Sequence, residues 1–374
     1  MPGSDAKKVA FLFKGGRRDR LAAADPGPRE FFYGATEIAG ADLIEEAELA
    51  KPPPSFWTGR IAGGVVARLT GINADSIARF SQPDVLSRLN AYDVLVATTN
   101  SQGLALAFLR AKGRLKARAL FISMGVLGLK APPWRRALYK ALLRHASLAP
   151  LSKPEADFLR ESLGSKQDVE YLPFGIDQEF WKPGQESGAD GDYVFSVGND
   201  WNRDYKTLIN AWRPEYPPLK VVTSLPMPPT PNNIQVIAGG WRKQVLSDEE
   251  VRRLFQGARF VVLPIRQTIQ PAGQSACLQA MACGKAVVFS DIAGVWDRNV
   301  LADGETCLLV QPGSAEGLRE GVEKLLDDPG RAAEMGRRAR EAVEKRCALD
   351  VMADALKKRL GALTTASWED KDSP

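Results

Sequence analysis

A polar turn that contains Gly273 separates an apolar run from a longer run of small and apolar residues. The apolar run Val261–Leu263 predicts a buried strand, and residues 275–283 predict a helix that Gly284 ends. The first amides of a helix lack intrahelical partners, and the helix dipole adds partial positive charge at that end. The pattern therefore predicts a site for an anion such as a nucleotide pyrophosphate. The residues expected to contact this anion are Gly273, Gln274 and Ser275.

The predicted helix and the strand after it carry the sequence LQAMACGKAVV at residues 278–288. This segment resembles the donor-binding segment of family 4 glycosyltransferases, which are retaining, metal-independent enzymes of the GT-B fold. Gln279 stands where the family has the glutamate that binds the donor ribose, and Gln270 is the residue nearest to the family's upstream glutamate. A glutamine can still accept a hydrogen bond from a sugar hydroxyl. The resemblance therefore implies that Gln279 contacts the ribose and that Gln270 lies near the transferred sugar.

The resemblance extends to the predicted strand that opens the second half of the chain. Gly198 and Asn199 follow this strand, where the family has a glycine and then an arginine. In the family an arginine and a lysine near this point hold the pyrophosphate, which implies that this loop binds the donor. Because Asn199 occupies the arginine position, Arg203 is the first candidate for the cation and Lys206 is the second. A guanidinium can hold phosphate oxygens with two hydrogen bonds. A solvated loop in which Asp204 pairs with the arginine is the alternative.

The resemblance also implies how catalysis would work. Arg203, Lys206 and helix amides would stabilise negative charge on the departing diphosphate, with Gln270 at the reacting sugar. Many family members have a histidine that touches the transferred sugar, and Met124 occupies that position here. No metal is expected, because cations and amides take its place. No cofactor is expected either, because the nucleotide-diphosphate sugar is the donor substrate.

A second glycine turn follows the first predicted strand, Val9–Phe13. Gly15 and Gly16 form a strand-then-glycine turn of the kind that an α/β domain uses beside its ligand. The family places such a loop against the donor phosphates, so both glycines are candidate donor-binding residues. A simple tight turn is the alternative.

Strands alternate with helices along most of the chain, which is the pattern of βαβ units. A length of 374 residues favours two domains over one. A polar stretch rich in proline and glycine at 182–192 predicts the linker, and an apolar periodic pattern predicts a helix over 56–69. The predicted parts are an acceptor-binding domain at 1–184, a nucleotide-sugar-binding domain at 185–350, and a C-terminal helix and polar tail at 351–374. The resemblance implies an α/β fold of the GT-B type, with two Rossmann-like domains facing each other across a cleft.

The composition excludes several kinds of site. The only histidine, His145, lies in a helical pattern, which excludes histidine triads and histidine-rich metal sites. The four cysteines have no metal-ligand spacing, so reduced and buried thiols are expected. The sequence has no apolar stretch of transmembrane length and no signal-peptide pattern. These observations predict a cytoplasmic protein.

Positive charge is concentrated in the first half of the chain. Residues 1–184 contain 26 Lys and Arg against 19 Asp and Glu, and no acidic residue lies between Asp93 and Glu155. A solvated face is one interpretation. The other is a surface that meets an anionic acceptor or anionic headgroups, which would place the protein at the inner face of the membrane. A nucleic-acid partner is not expected, because no recognised module or interleaved aromatic pattern accompanies the charge.

The motifs and the resemblance together predict a retaining glycosyltransferase. It would move a sugar from a nucleotide-diphosphate sugar to a hydroxyl group of a glycan, a lipid-linked acceptor or a small molecule. One alternative is a related protein that processes nucleotide sugars without transfer, as an epimerase does. The other is a catalytically silent binding protein, for which the absent glutamates and Met124 are the reasons.

Overall fold

The computed structural model describes residues 8–25, 27–49, 67, 70–184, 191–239 and 245–365. Almost all of the predicted helix over 56–69 and the middle of the predicted linker lie outside the described residues. The chain divides into two compact units. The first unit comprises Met1–Pro26, Phe31–Pro173 and Met352–Pro374, and the second comprises Gly27–Glu30 and Phe174–Val351.

The first unit is built on a parallel sheet of five strands. These strands are β1 Val9–Phe13, β2 Asp42–Glu45, β3 Val94–Ala97, β4 Arg118–Ser123 and β5 Ser147–Pro150. They lie in the order β2-β1-β3-β4-β5. The helices that accompany them are α1 Arg17–Ala22, α2 Ala74–Phe80, α3 Pro83–Leu89, α4 Asn100–Ala111, α5 Pro133–Leu143 and α6 Lys153–Leu163. Every residue of β1 and β3 is buried, as expected for central parallel strands with continuous apolar sequences.

The second unit is built on a parallel sheet of six strands. These strands are β6 Val194–Val197, β7 Leu219–Thr223, β8 Ile234–Ala238, β9 Val261–Leu263, β10 Val287–Ser290 and β11 Leu308–Val310. They lie in the order β11-β10-β9-β6-β7-β8. The helices after β6 are α7 Tyr205–Ala211, α8 Asp248–Gln256, α9 Gln274–Ala282, α10 Ala315–Leu326, α11 Pro329–Arg346 and α12 Leu349–Thr365. Short 3-10 helices elsewhere in the chain span Glu30–Phe32, Ala35–Glu37 and Glu46–Glu48. The prediction of an α/β fold with two parallel sheets is confirmed.

The compact units divide the chain at other points than the predicted boundaries. The chain joins the second unit at Phe174, before the predicted linker, and Ile176 donates a backbone hydrogen bond to Cys347 of the same unit. Most of α12 belongs to the first unit and does not form a separate tail. Arg359 on this helix forms ion pairs with Asp168 and Glu170 of the first unit.

Local chemistry explains several helix ends. Ser247 and Glu250 form the reciprocal capping box at the start of α8, with Ser247 N donating to Glu250 Oε2 at 2.7 Å. Gly284 follows α9 in the left-handed conformation, with φ at 74°, as expected for a residue just past a helix. His145 lies after α5, where its backbone oxygen accepts a hydrogen bond from Arg110 Nε at 2.8 Å. All four cysteines are free and buried, which confirms the prediction for them.

Candidate functional site

Two loops of the second unit leave its sheet at the topological switch point. The chain proceeds from β6 through β7 to β8 in one direction, and from β9 through β10 to β11 in the other. Because β6 and β9 are parallel neighbours, their carboxyl ends lie at the same edge of the sheet. Ligands of open α/β sheets bind at this point. The loops that leave it, β6–α7 and β9–α9, contain the predicted site residues Gly198, Asn199, Arg203, Gln270 and Gly273.

The first turn of α9 contains a backbone amide that has no acceptor within the helix. Gly273 is the N-cap, with φ at 78°, and no side chain caps the helix. The amide of Gln274 donates to Pro271 O at 3.3 Å, and the first bond within the helix runs from Cys277 N to Gly273 O. The Ser275 amide between them has no acceptor within the helix. This geometry suits an anion, as the sequence predicts.

The guanidinium group of Arg203 lies beside this helix end, although only 4% of the residue is exposed. A methyl group added to Gly273 would fall 3.0 Å from Arg203 Nη1, and one added to Gly198 would fall 1.9 Å from Nε. Asp200 Oδ2 lies 2.9 Å from Arg203 Nε and forms an ion pair with it. This ion pair does not have the geometry of a hydrogen bond. Neither Nε nor Nη1 therefore has a hydrogen-bond partner among the described residues. Two buried donors of a cation are thus available to an anion.

The loop that carries Arg203 is held at both ends. Gly198 O accepts hydrogen bonds from Tyr205 Oη and Thr223 Oγ1, both at 2.8 Å. Burial raises the pKa of Tyr205, which favours the protonated hydroxyl as a donor. A backbone bridge pairs Arg203 with Ile265 beyond the end of β9. The two neighbouring strands therefore fix the position of the guanidinium group.

Three other predicted donor residues make different contacts. Asn199 Oδ1 accepts hydrogen bonds from the amide and the hydroxyl of Ser224, the latter at 3.0 Å. Gln270 Oε1 accepts a hydrogen bond from Asn202 Nδ2 at 3.4 Å. Lys206 is exposed in the first turn of α7. Roles in donor binding or catalysis for these three residues stay predictions.

Gly15 and Gly16 lie in the first unit, after β1. Gly16 is the N-cap of α1, with φ at 77°. Its amide donates to Glu45 Oε2 at 3.0 Å, and the amide of Arg18 donates to Glu45 Oε1 at 3.0 Å. A phosphate at this loop would have to displace the Glu45 carboxylate. Contact of the two glycines with the donor stays a prediction.

Gln279 contacts a buried carboxyl group. Its Nε2 donates to Glu30 Oε1 at 3.0 Å, and Trp181 Nε1 donates to the same oxygen at 2.7 Å. Glu30 Oε2 is buried and has no hydrogen-bond partner among the described residues. Glu30 is fully buried, and the resulting desolvation raises its pKa to about 7. Nothing in the sequence around Glu30 predicts this contact, because it joins residues 249 positions apart.

Asp177 holds the short segment Gly27–Glu30 to the rest of the second unit. The backbone amide and Nε of Arg29 donate to Asp177 Oδ2 at 3.2 Å and 3.1 Å. The backbone oxygen of Asp177 also accepts a hydrogen bond from Trp181 N at 2.8 Å. One aspartate thus positions both chain segments that surround the Glu30 carboxyl group.

In the first unit, the loop after β4 is fixed by polar side chains. Asn100 Nδ2 donates to Met124 O at 2.9 Å, and Met124 N donates back to Asn100 Oδ1 at 3.3 Å. Glu155 Oε1 accepts hydrogen bonds from the amides of Gly125 and Val126 at 2.7 Å and 3.3 Å. Burial raises the pKa of Glu155 to about 7. These hydrogen bonds hold the backbone in place at Met124, the position at which many family members have a histidine.

Two further properties of the described ranges concern the crossing of a membrane and the binding of metal. No helix among these residues is both long enough and apolar enough to cross a membrane. No three His, Cys, Asp or Glu side chains in these ranges are placed to share a metal ion. Metal independence and cellular location stay predictions.

The chain is similar to known glycosyltransferases, and the family match lies within its second unit. Residues 195–328 match the family described as "Glycosyl transferases group 1". Over 198 residues the chain is 29% identical to the alpha-maltose-1-phosphate synthase of Mycolicibacterium smegmatis. This alignment covers 45% of the chain and 50% of that protein, so the chain spans about half the length of its curated relative.

Solved structures are similar over almost the whole chain. The sucrose-phosphate synthase from Thermosynechococcus elongatus has a TM-score of 0.71 and 18% identity, with 97% of this chain and 100% of that chain covered. Anabaena Alr3699/HepE in complex with UDP-glucose has a TM-score of 0.69 and 15% identity, with 96% and 100% covered. At such low sequence identities, the similarity shows a shared fold only. Residues 195–328 thus match glycosyl transferases group 1, and the chain has the GT-B fold.

Proposed function

We propose that this protein is a glycosyltransferase that binds a nucleotide-diphosphate sugar in its second unit and transfers the sugar to a hydroxyl group. The buried guanidinium group of Arg203 carries this proposal. Its Nε and Nη1 have no hydrogen-bond partner among the described residues, and it lies beside Gly273 at the start of α9. Unmet donors of a cation beside a helix N-terminus suit a diphosphate.

The proposed reaction breaks the bond between the anomeric carbon of the sugar and the diphosphate oxygen. A bond forms from the same carbon to the acceptor oxygen, with retention of configuration. The acceptor proton passes to an oxygen of the departing diphosphate. Arg203 and the first amides of α9 would stabilise the negative charge that develops on that group, because burial strengthens such interactions. This path uses neither a histidine nor a metal ion.

A UDP-sugar is the first donor to test. The structure of Anabaena Alr3699/HepE, which shares the fold, is a complex with UDP-glucose. The sequence departs from the family at the ribose-binding position, where it has Gln279, so GDP-sugars and TDP-sugars belong in the same panel.

The experiment measures release of nucleoside diphosphate from each donor, with and without a mixture of hydroxyl acceptors. The proposal predicts release that rises when an acceptor is present, together with a glycosylated product. A change in the sugar without release would instead indicate an epimerase-like protein. Binding without either change would indicate a silent protein, and no binding of any donor would contradict the proposal as a whole.

The acceptor side of the proposal concerns the first unit. We propose a glycan, lipid-linked or small-molecule acceptor, and attachment of the basic surface to anionic lipids. The half-exposed Trp134 lies in the acid-free part of the chain. The exposed cations of the same part are Lys112, Arg114, Lys116, Lys130, Lys140 and Arg144. Each such cation near an anionic membrane contributes about 1 kcal/mol of binding free energy, so a few would suffice for reversible attachment.

A further inference from the structure

The side chain of Gln279 has two polar atoms, and only one of them is engaged. Its Nε2 donates to Glu30 Oε1 at 3.0 Å. Its Oε1 has no hydrogen-bond partner among the described residues, and 8% of the residue is exposed. The amide oxygen is therefore available to a ligand that donates a hydrogen bond.

Glu30 and Trp181 together determine which way the carboxamide of Gln279 faces. Trp181 Nε1 can only donate, and it donates at 2.7 Å to the same Glu30 oxygen that faces Gln279. Glu30 Oε1 must therefore be an acceptor, and the carboxamide of Gln279 must turn its NH₂ group toward this oxygen. The Oε1 atom then faces away from Glu30.

Gln279 also lies on the face of α9 that the proposed donor would follow. It is four positions after Ser275, and residues at this spacing lie one above the other on a helix. Ser275 is in the first turn, where the diphosphate is proposed to bind. A ribose attached to that diphosphate would thus lie close to Gln279.

We propose that Glu30 is a positioning residue for the donor, which holds Gln279 so that Oε1 accepts a hydrogen bond from a ribose hydroxyl. This inference rests on the proposed binding of a nucleotide sugar. It also explains why residue 279 is a glutamine. A glutamate there would place a second carboxylate against Glu30 in a buried site, where like charges repel strongly.

The test compares a ribonucleotide with an analogue that lacks the ribose hydroxyls. Calorimetry gives the affinities for UDP and GDP and for their 2′,3′-dideoxy forms, with inorganic pyrophosphate as a probe without ribose. For the wild type we expect about a three- to tenfold preference for the ribonucleotide, the scale of one hydrogen bond. Gln279→Ala should reduce this preference. Glu30→Met should reduce it equally, and the double variant should show no further loss.

Two further substitutions at residue 30 separate its possible roles. Glu30→Asp keeps the charge but is too short to reach Gln279, so it should also lose the preference. Glu30→Gln keeps an oxygen that can accept from both Gln279 Nε2 and Trp181 Nε1, so it should retain the preference for the ribonucleotide. Pyrophosphate affinity should be unchanged in all these variants. Val322→Ala, in the core of the second unit, is the control for reduced stability and should keep the preference.

Several results would overturn the inference. Glu30→Met and Glu30→Asp proteins that fold and keep the wild-type preference would leave Glu30 without a role in donor binding. An equal loss of pyrophosphate and nucleotide affinity would show a general disruption of the helix end. A wild type that binds neither nucleotide nor pyrophosphate would contradict the proposed function itself and this inference with it.

Discussion

Arg203 packs against Gly198 so closely that a methyl group on the glycine would fall 1.9 Å from the arginine Nε. Gly198 also has a φ of 152°, a conformation that residues with a side chain rarely adopt. The glycine after β6 is therefore required by the position of the guanidinium group as well as by the backbone. The two residues form one feature of the candidate diphosphate site.

Gly198→Ala should weaken binding of a nucleoside diphosphate by about 1.5–3 kcal/mol, the scale of a hydrogen bond to a charged group. The added methyl group would displace the Arg203 side chain from the start of α9. Calorimetry with UDP and GDP measures the effect. Gly361→Ala is the control, because a methyl group there meets no atom within 4 Å. Wild-type affinity in the Gly198→Ala protein would contradict this role of the glycine.

Gln279→Glu would introduce the glutamate that the family has at this position, yet we expect it to destabilise the protein. The new carboxylate would lie against buried Glu30, at a cost of about 3 kcal/mol in the free energy of unfolding. Adding Glu30→Gln should recover most of this loss, because only one carboxylate then remains. Urea unfolding of the two single variants and the double variant measures this coupling. Purely additive effects would show that the two side chains do not interact.

Local and long-range features of the site differ in how far the sequence predicts them. The start of α9 could be predicted, because a strand, a turn with Gly273 and a helix ended by Gly284 are close together in the chain. The placement of Arg203 beside Gly273 depends on the pairing of β6 with β9, and only the family resemblance indicated it. Glu30 could not be predicted, because its partners are far away in sequence and no motif surrounds it.

Stability should depend on pH through two buried carboxyl groups. Burial raises the pKa of Glu30 and of Glu155 from 4.5 to about 7. Between these values the folded protein keeps a proton on each group that the unfolded chain has released. The free energy of unfolding should therefore fall as the pH rises from about 4.5 to about 7, by up to about 3 kcal/mol for each group.

Urea unfolding at about pH 5 and about pH 7.5 measures this dependence. A protein with Glu30→Gln and Glu155→Gln should lose most of it, because glutamine does not titrate. Both glutamines still offer an oxygen to the donors that face these positions. The same pH dependence in the wild type and in the double variant would assign it to other groups.

The basic surface of the first unit should bind anionic lipids. We expect sedimentation with anionic vesicles at low salt, a weaker association at high salt, and none with neutral vesicles. Lys112→Glu combined with Lys116→Glu should weaken the association. Lys324→Glu combined with Lys345→Glu changes the net charge equally in the second unit and should have little effect. Equal partitioning to both lipids, or to neither, would indicate an ordinary solvated face.

Calorimetric titration of Arg203→Ala with UDP and GDP tests the proposed donor site most directly. The matched control is Arg213→Ala, which removes an arginine whose ion pairs are with Glu215 and Glu323. We expect Arg203→Ala to weaken binding of the preferred nucleotide by about 1.5–3 kcal/mol, while the Arg213 variant binds like the wild type. Equal affinities of the wild-type and Arg203→Ala proteins would contradict the assignment of the diphosphate to this site.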